Sequence, residues 1–472
     1  MRHSFAWTGI RRVPLLAFLI SMTAVTPVAS RAAEPVPAKP VTDHEQRIRE
    51  LEETVDRLKK DTRQVEVTVE NQKPLAGWTD GFILASQDGK YKLKIGAYTQ
   101  FDSRFFASDE DHLNTSQFVF RRVRPSIEGT VFKYFDFKIM PDFAGANFTL
   151  FDTHVDVNYF KPYAQVRVGK FKSAVGLERL QSARALPLME RGQPTNLVPI
   201  RDVGIDVFGE FVDGAIGYRL GIYDGSPDLA NINGDVNDDK DFGGRLFFHP
   251  LRPTGIAALA GFGVGIGGTY GYAKGSPSDT DLTSGYRSFS QARIFRYVSA
   301  PSSQPSTAAN TAFAKGTRAR INPSADYYYG PFGLLAEYVS STQGVTLQKR
   351  KNITNDAWTV GLSYLLTGEN AAYDGAKPLQ PFDPFDGKWG AWETVFRASR
   401  LHIDHQAFAQ GFASPNNSVN EALEFAVGLN WYLNKNIKAS IDFAKTSFDG
   451  GAAKGADRHS EYAIGGRLQL AL

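Results

Sequence analysis

The sequence predicts an all-β protein: a 16-stranded antiparallel transmembrane β-barrel preceded by a short N-terminal coiled-coil helix. Three observations carry that expectation. There is a secretory leader with no later apolar span, alternation of period two recurs in sixteen segments, and the connections are short at one end of the strands and long at the other.

The leader comes first. Arg2, Arg11 and Arg12 precede an apolar stretch, Val13 to Val25, and small residues follow at Val28-Ala29-Ser30 and Arg31-Ala32-Ala33. This is the order of a signal peptide, assigned to 1–33. Its apolar run is too short to cross a bilayer as a helix, and no later segment is long enough either. The leader carries four arginines and no acid, so its removal takes the formal net charge from +3 to −1. Overall charge therefore gives no reason to expect a nucleic-acid partner. With no cysteine among 472 residues, disulfides, thiolate metal sites and thiol nucleophiles are excluded.

Residues 34–73 read as a Pro/Ala-rich linker followed by a helix. Thr42 and Glu45 have capping-box spacing. Ile48, Leu51, Val55 and Leu58 then recur at steps of 3, 4 and 3, with Val65 and Val69 continuing less regularly. Two readings fit: a spacer helix resting on the barrel rim, or a short self-associating coil. The narrow seam favours the coil, because a core-facing helix needs a wider apolar stripe.

The barrel is assigned to 77–472. Its first strand alternates Tyr91, Leu93, Ile95, Ala97, Thr99 and Phe101 with Lys92, Lys94, Gly96, Tyr98 and Gln100. Near the end, Leu423, Phe425, Val427, Leu429 and Trp431 share one face. Half-apolar strands of this kind fit the mean hydropathy of −0.29. The sixteen strands are placed near 91–101, 118–131, 134–141, 150–160, 163–170, 204–212, 214–223, 241–249, 262–274, 317–328, 331–340, 357–367, 389–400, 422–433, 436–446 and 461–472. Turns such as Phe132-Lys133, Lys161-Pro162 and Asn434-Lys435 are tight, whereas loops after odd-numbered strands are long and polar, an asymmetry of outer-membrane barrels. Two even-numbered connections, 250–261 and 368–388, are longer than this rule expects. Tyr98, Tyr159, Trp392, Trp431 and Tyr432 are among the candidates for interfacial aromatic girdles.

The second strand opens with Phe120-Arg121-Arg122-Val123-Arg124. Parity sends Arg122, Arg124 and Glu128 to the lumen but gives Arg121 the lipid-facing side. A charge there at mid-depth costs about 2–4 kcal/mol, so an irregularity is expected at Arg121. The third long loop, 171–203, has no strand pattern, and so long a loop is usually functional. Gly176 to Arg184 reads as helical, and Arg191 and Arg201 follow. Folded into the lumen, this loop brings Arg179 and Arg184 opposite Arg122 and Arg124. Guanidinium groups keep their charge and grip phosphate-like oxyanions through forked hydrogen bonds.

In these pieces the chain resembles the phosphate-selective porin O and P family. The matching segments are Phe120-Arg121-Arg122, Gly176-Leu177-Glu178-Arg179, Leu366-Thr367-Gly368-Glu369, Gly390-Ala391-Trp392-Glu393 and Gly428-Leu429-Asn430-Trp431-Tyr432, in that order. The resemblance implies a homotrimeric 16-stranded porin in a Gram-negative outer membrane, surrounded by lipid and lipopolysaccharide. It also implies that small phosphate-like anions pass arginines and lysines. Position by position it selects Arg121 and Arg122 on the strand, with Arg179 and Arg184 on the loop. The family's first strand commonly has Gly-Gly-Arg where this chain has Gly96-Ala97-Tyr98, and loop lysines of the phosphate-specific members are arginine here. These departures bear on phosphate specificity more than on anion selectivity.

Arg121, Arg122, Arg124, Arg179 and Arg184 are thus the candidate anion-binding residues. Lys92, Lys94, Arg318 and Arg320 share lumen parity and would extend a basic track. Glu128, Asp136, Asp142, Asp152 and Asp156 are placed to neutralise part of it. The run Asp235 to Asp241 lacks the glycine and closing glutamate of a calcium loop, so a solvated outer loop is expected. His154, between Asp152 and Asp156, is expected to make ordinary hydrogen bonds. His402 and His405 have no marked serine partner, so no catalytic residue, metal or cofactor is expected. A general or sugar-accepting porin, supported by the near-neutral mature chain, is the alternative function.

Overall fold

The structure, a computed structural model, describes residues 43–71, 76–108, 114–145, 147–235 and 237–472. The expected signal peptide and the linker through residue 42 lie outside the described residues. The chain divides into two compact units, 1–71 and 72–472. In the first, α1 spans Asp43–Asn71, and Ile48, Leu51, Val55 and Leu58 are all exposed along it.

The second unit is a closed antiparallel barrel of sixteen strands. In order they are β1 (Lys92–Ser108), β2 (Gln117–Val131), β3 (Phe135–Asp142), β4 (Thr149–Phe160), β5 (Ala164–Phe171), β6 (Asp202–Phe211), β7 (Ile216–Tyr223) and β8 (Asp241–Phe248). There follow β9 (Phe262–Lys274), β10 (Phe313–Tyr329), β11 (Phe332–Leu347), β12 (Lys349–Leu365), β13 (Ala391–His402), β14 (Val419–Tyr432), β15 (Ile437–Gly450) and β16 (Glu461–Ala471). Each pairs with its sequence neighbour, and β16 closes on β1 through Phe101↔Leu468 and Thr99↔Leu470. A hairpin, Ala76–Trp78 with Phe82–Ala85, adds to the first residues of β1.

Closure leaves every strand two paired edges, and the pleat then sorts side chains. On β14, Phe425 and Val427 are exposed outside while Glu424, Ala426 and Asn430 are buried inside. Aromatic pairs mark the turn end of the outer face: Tyr134 on Tyr159 at 4.4 Å, and Trp392 stacked on Trp431 at 5.2 Å. Two girdle candidates face inward instead. Tyr98 meets Arg124 across the β1–β2 register, and the Tyr432 hydroxyl donates to Glu393 at 2.7 Å. Being next to a strand end did not fix their side; parity did.

The Phe132-Lys133 turn uses left-handed backbone at both positions, as a two-residue hairpin of this kind requires: φ is 51° and 69°. One expected long loop does not exist. Residues 341–356 continue β11 and β12, joined through Gln348 alone at φ 62°. Their polar composition hid a strand whose inner face is covered by loops: Val345 and Ile353 are fully buried there.

The lumen is filled from both ends. The third long loop, here L3 (residues 172–201), folds inward and contains an α-helical turn, Leu177–Leu180, shorter than the helix expected over 176–184, and a 3-10 turn, Gln193–Leu197. Val175, Leu197 and Val198 of L3 join Tyr286, Ile294 and Phe295 of the 275–312 loop in one core, with Val339, Ile353 and Leu401 from the wall. From the turn end, the 366–390 connection reaches L3: the Tyr373 hydroxyl donates to the Leu177 carbonyl at 2.6 Å. The Gln181 amide returns a bond to the Tyr373 carbonyl at 2.7 Å.

Candidate anion constriction

L3 is pinned to one side of the barrel. The buried Glu337 carboxylate on β11 accepts the backbone N–H groups of Leu177 (2.6 Å) and Glu178 (3.2 Å). Asp442 on β15 accepts Met189 N–H at 2.6 Å, and Arg397 on β13 donates to the Glu190 carbonyl at 2.7 Å. These anchors hold L3 against β11, β13 and β15. Open space therefore remains along β1–β4, where a cavity of about 390 Å³ is lined by that wall and by L3. Ten cationic side chains and three carboxylates line it. An outer cavity shares Arg121, Arg122, Arg179 and Arg191 with it, and an inner cavity shares Lys94, Glu128 and Lys138, so the three form one track.

Arg121 is where the strand becomes irregular. Across β1–β2, Gln100 pairs with Arg122 and Phe101 with Phe120, leaving Arg121 as the extra residue of a bulge. Arg121 thereby turns inward beside Arg122. Its Nε donates to Glu190 at 2.5 Å, and Arg122 donates to Gln100 at 2.6 Å. The Glu190 carboxylate has four guanidiniums within 4 Å: Arg104, Arg121, Arg122 and Arg467. Burial alone would raise its pKa, but Arg121 and Arg122 outweigh burial and hold it well below the usual range.

Arg124 lines the same cavity in a different state. It pairs with Asp142 at 2.7 Å, donates to the Tyr98 hydroxyl at 2.6 Å, and stacks 3.8 Å from the Phe151 ring centre. Arg201 is likewise matched, by Asp152 at 2.5 Å.

The L3 cations differ, because main-chain carbonyls hold them. Arg179 donates to Thr195 O at 2.6 Å, and its buried Nε has no partner. Arg191 donates to the carbonyls of Glu178 (2.9 Å) and Gln181 (2.7 Å). Lys172 donates to those of Leu180 (2.9 Å) and Gln181 (3.0 Å). Among the described residues none of the three has a carboxylate in salt-bridge range, so these bonds orient the charge without cancelling it. Arg184 is exposed in the cavity and makes no side-chain hydrogen bond among the described residues. Burial, with Arg201 and Arg191 nearby, pushes the Lys172 ammonium well below its usual pKa.

The five sequence candidates thus line one cavity, although Arg124 is neutralised. Lys94 lines the central and inner cavities and Lys92 the inner one. Arg318 and Arg320 do not extend the track: each is buried against a loop acid, Asp281 at 2.8 Å and Asp228 at 2.7 Å. Their parity was right, but outer loops cover that part of the wall. His154 lines the inner cavity, and its buried Nδ1 has no hydrogen-bond partner, unlike the ordinary hydrogen bonding expected of it. In the 235–241 run, Lys240 pairs with Asp235 at 2.8 Å and Lys274 with Asp239 at 2.8 Å. Sequence reasoning missed Lys172, one residue past β5, and Arg287, which lines the outer cavity from the 275–312 loop.

A family model described as "Phosphate-selective porin O and P" matches residues 93–472, spanning all sixteen strands but for the first residue of β1, and the whole of L3. The chain belongs to the phosphate-selective porin O and P family. It is an outer-membrane porin of a Gram-negative bacterium. Among curated proteins it is similar to "Porin O" of Pseudomonas aeruginosa, 25% identical over 395 residues that cover 78% of this chain and 86% of the relative. Among solved structures it is similar in fold to the outer-membrane channel DcaP of Acinetobacter baumannii. That match has a TM-score of 0.53 at 10% identity and covers 82% of this chain and 99% of the other. The porin's quoted motifs, from Phe120-Arg121-Arg122 to the Gly428–Tyr432 segment, all fall inside the matched range.

Proposed function

We propose that small anions, phosphate and related oxyanions foremost, cross this porin along the β1–β4 side of the lumen. They meet Arg121 and Arg122 first, then Arg179, Arg191 and Lys172 at the narrow part, and leave past Arg184, Lys94 and Lys138. The observation that carries the reading is the way L3 holds Lys172, Arg179 and Arg191. They bond to carbonyls, so their charge is free to act on an ion in the cavity, where low-dielectric walls focus the potential. Oxyanions suit these groups because guanidinium N–H donors match paired oxygens. Arg124 and Arg201, matched by Asp142 and Asp152, position the wall and contribute less field.

The reading assigns no catalytic residue, metal or cofactor to the passage. Three copies form the working unit, with the exposed Ile48–Leu58 seam of α1 buried between copies. The test is block of chloride current by phosphate in single-channel recordings. Wild type loses chloride conductance as phosphate occupies the track, and Arg179→Gln with Arg191→Gln loses the block. Equal conductance with and without phosphate would remove the site and leave a general porin.

A further inference from the structure

A second group of cations sits on the outside of the barrel, away from the passage. On β9 the outward positions Tyr270 and Tyr272 are both exposed, and the register places Lys274 of β9 opposite Lys315 of β10 one pleat further toward the loop end. Two strand residues advance about 7 Å, so these lysines begin where the aromatic girdle gives way to headgroups. Beside them β11 and β12 rise past this level, and their joint carries Lys349, Arg350 and Lys351, all exposed. Arg350 leans back toward β10: a Cβ at Gly316 would stand 3.2 Å from its Nη1. Gly316, at φ +110°, thus leaves room for the guanidinium next to Lys315.

Lys274, Lys315 and Arg350 have outward parity at the loop-side edge of β9, β10 and β12. Lys274 is matched by Asp239 at 2.8 Å. Among the described residues Lys315, Lys349, Arg350 and Lys351 enter no salt bridge and no side-chain hydrogen bond. On the neighbouring strands β13 and β14, by contrast, Arg400 pairs with Glu421 at 2.5 Å. An uncompensated basic edge at headgroup depth is complementary to a polyanionic lipid surface.

We propose that Lys315 and Arg350 form a binding site for the phosphate groups of the phosphorylated glycolipid of the outer leaflet, lipopolysaccharide. Arg350 and Lys315 contact one phosphate near the acyl chains, whereas Lys349 and Lys351 have the opposite parity, Lys351 pairing with the inward Val345, and stand outside the site. Lys274 contributes less because Asp239 occupies it. The site faces lipid and is separate from the track for soluble anions, so it stands or falls independently of the proposed permeation path.

The test uses the full-length porin in detergent, with lipopolysaccharide and chemically dephosphorylated lipopolysaccharide as probes, and glycolipid bound per barrel read by native mass spectrometry. Wild type is expected to hold the phosphorylated form at least about tenfold more tightly than the dephosphorylated form. The variant Lys315→Gln/Arg350→Gln is expected to lose that difference while keeping wild-type conductance in bilayers. If the double variant fails to fold, Arg350→Gln alone makes the same comparison. Equal binding of the two glycolipids by wild type, or undiminished preference in a conducting variant, overturns the proposal. So does full displacement of the glycolipid by inorganic phosphate at the concentrations that block the pore, since the edge would then be a simple anion site.

Discussion

Lys172→Gln separates charge from architecture at the constriction. Among the described residues Lys172 bonds only to the carbonyls of Leu180 and Gln181, at 2.9 and 3.0 Å, and a glutamine amide also donates. The substitution therefore removes one positive charge while a donor to those carbonyls remains. At a contact distance near 4 Å, one charge is worth about 1 kcal/mol in water and about 4 kcal/mol at an effective dielectric of 20. A wet, salt-screened passage lies toward the lower end, so block by phosphate is expected to weaken roughly tenfold, about 1.4 kcal/mol. Titrating chloride current with phosphate in planar bilayers measures this directly. pH supplies a second signature. The Lys172 ammonium is pushed well below its usual pKa by burial and by Arg201 and Arg191. As pH rises toward the ordinary lysine range, wild type should lose this charge and part of its phosphate block, whereas Lys172→Gln should lack that limb. An unchanged block constant in the variant, with L3 still resistant to protease, would refute the idea that L3 charge drives selectivity.

Glu190→Gln removes the one carboxylate shared by four guanidiniums, and should raise anion selectivity in reversal-potential measurements while lowering thermal stability by about 3–5 kcal/mol. Glu337→Ala leaves the N–H groups of Leu177 and Glu178 without their acceptor, about 1–3 kcal/mol each, and should show as noisier single-channel current and earlier proteolysis of L3. Arg320→Gln, whose charge is already matched by Asp228, should destabilise the barrel in thermal melts yet leave phosphate block at the wild-type value.

Most of the barrel was legible because its physics is local. On β14, alternation of Leu423, Phe425 and Val427 with Glu424 and Ala426 states which side meets lipid, and the bulge at Arg121 could be anticipated because a lipid-facing arginine is costly. The β11–β12 extension was missed for a reason also local in sequence: its outward residues lie beyond the hydrocarbon band, so Ser, Thr and Asn replaced the apolar pattern. The site was legible in residue type but not in charge balance. Whether a lumen arginine is free depends on acids far along the chain. Arg320 meets Asp228 from 92 residues away, and nothing near Arg320 announces it. Arg179 and Arg191 remain uncompensated because the carbonyls of a folded L3 receive them, which depends on its anchors at Glu337, Asp442 and Arg397. Lys172, one residue past β5, carries no parity that would mark it.

The central claim, that uncompensated L3 cations make the passage anion-selective, is tested most directly by the reversal potential of the purified porin under a potassium chloride gradient. The account predicts a potential close to that of chloride, shifting toward zero in the Lys172→Gln/Arg179→Gln/Arg191→Gln variant. A wild-type potential near zero, or one of the sign set by potassium, would contradict it.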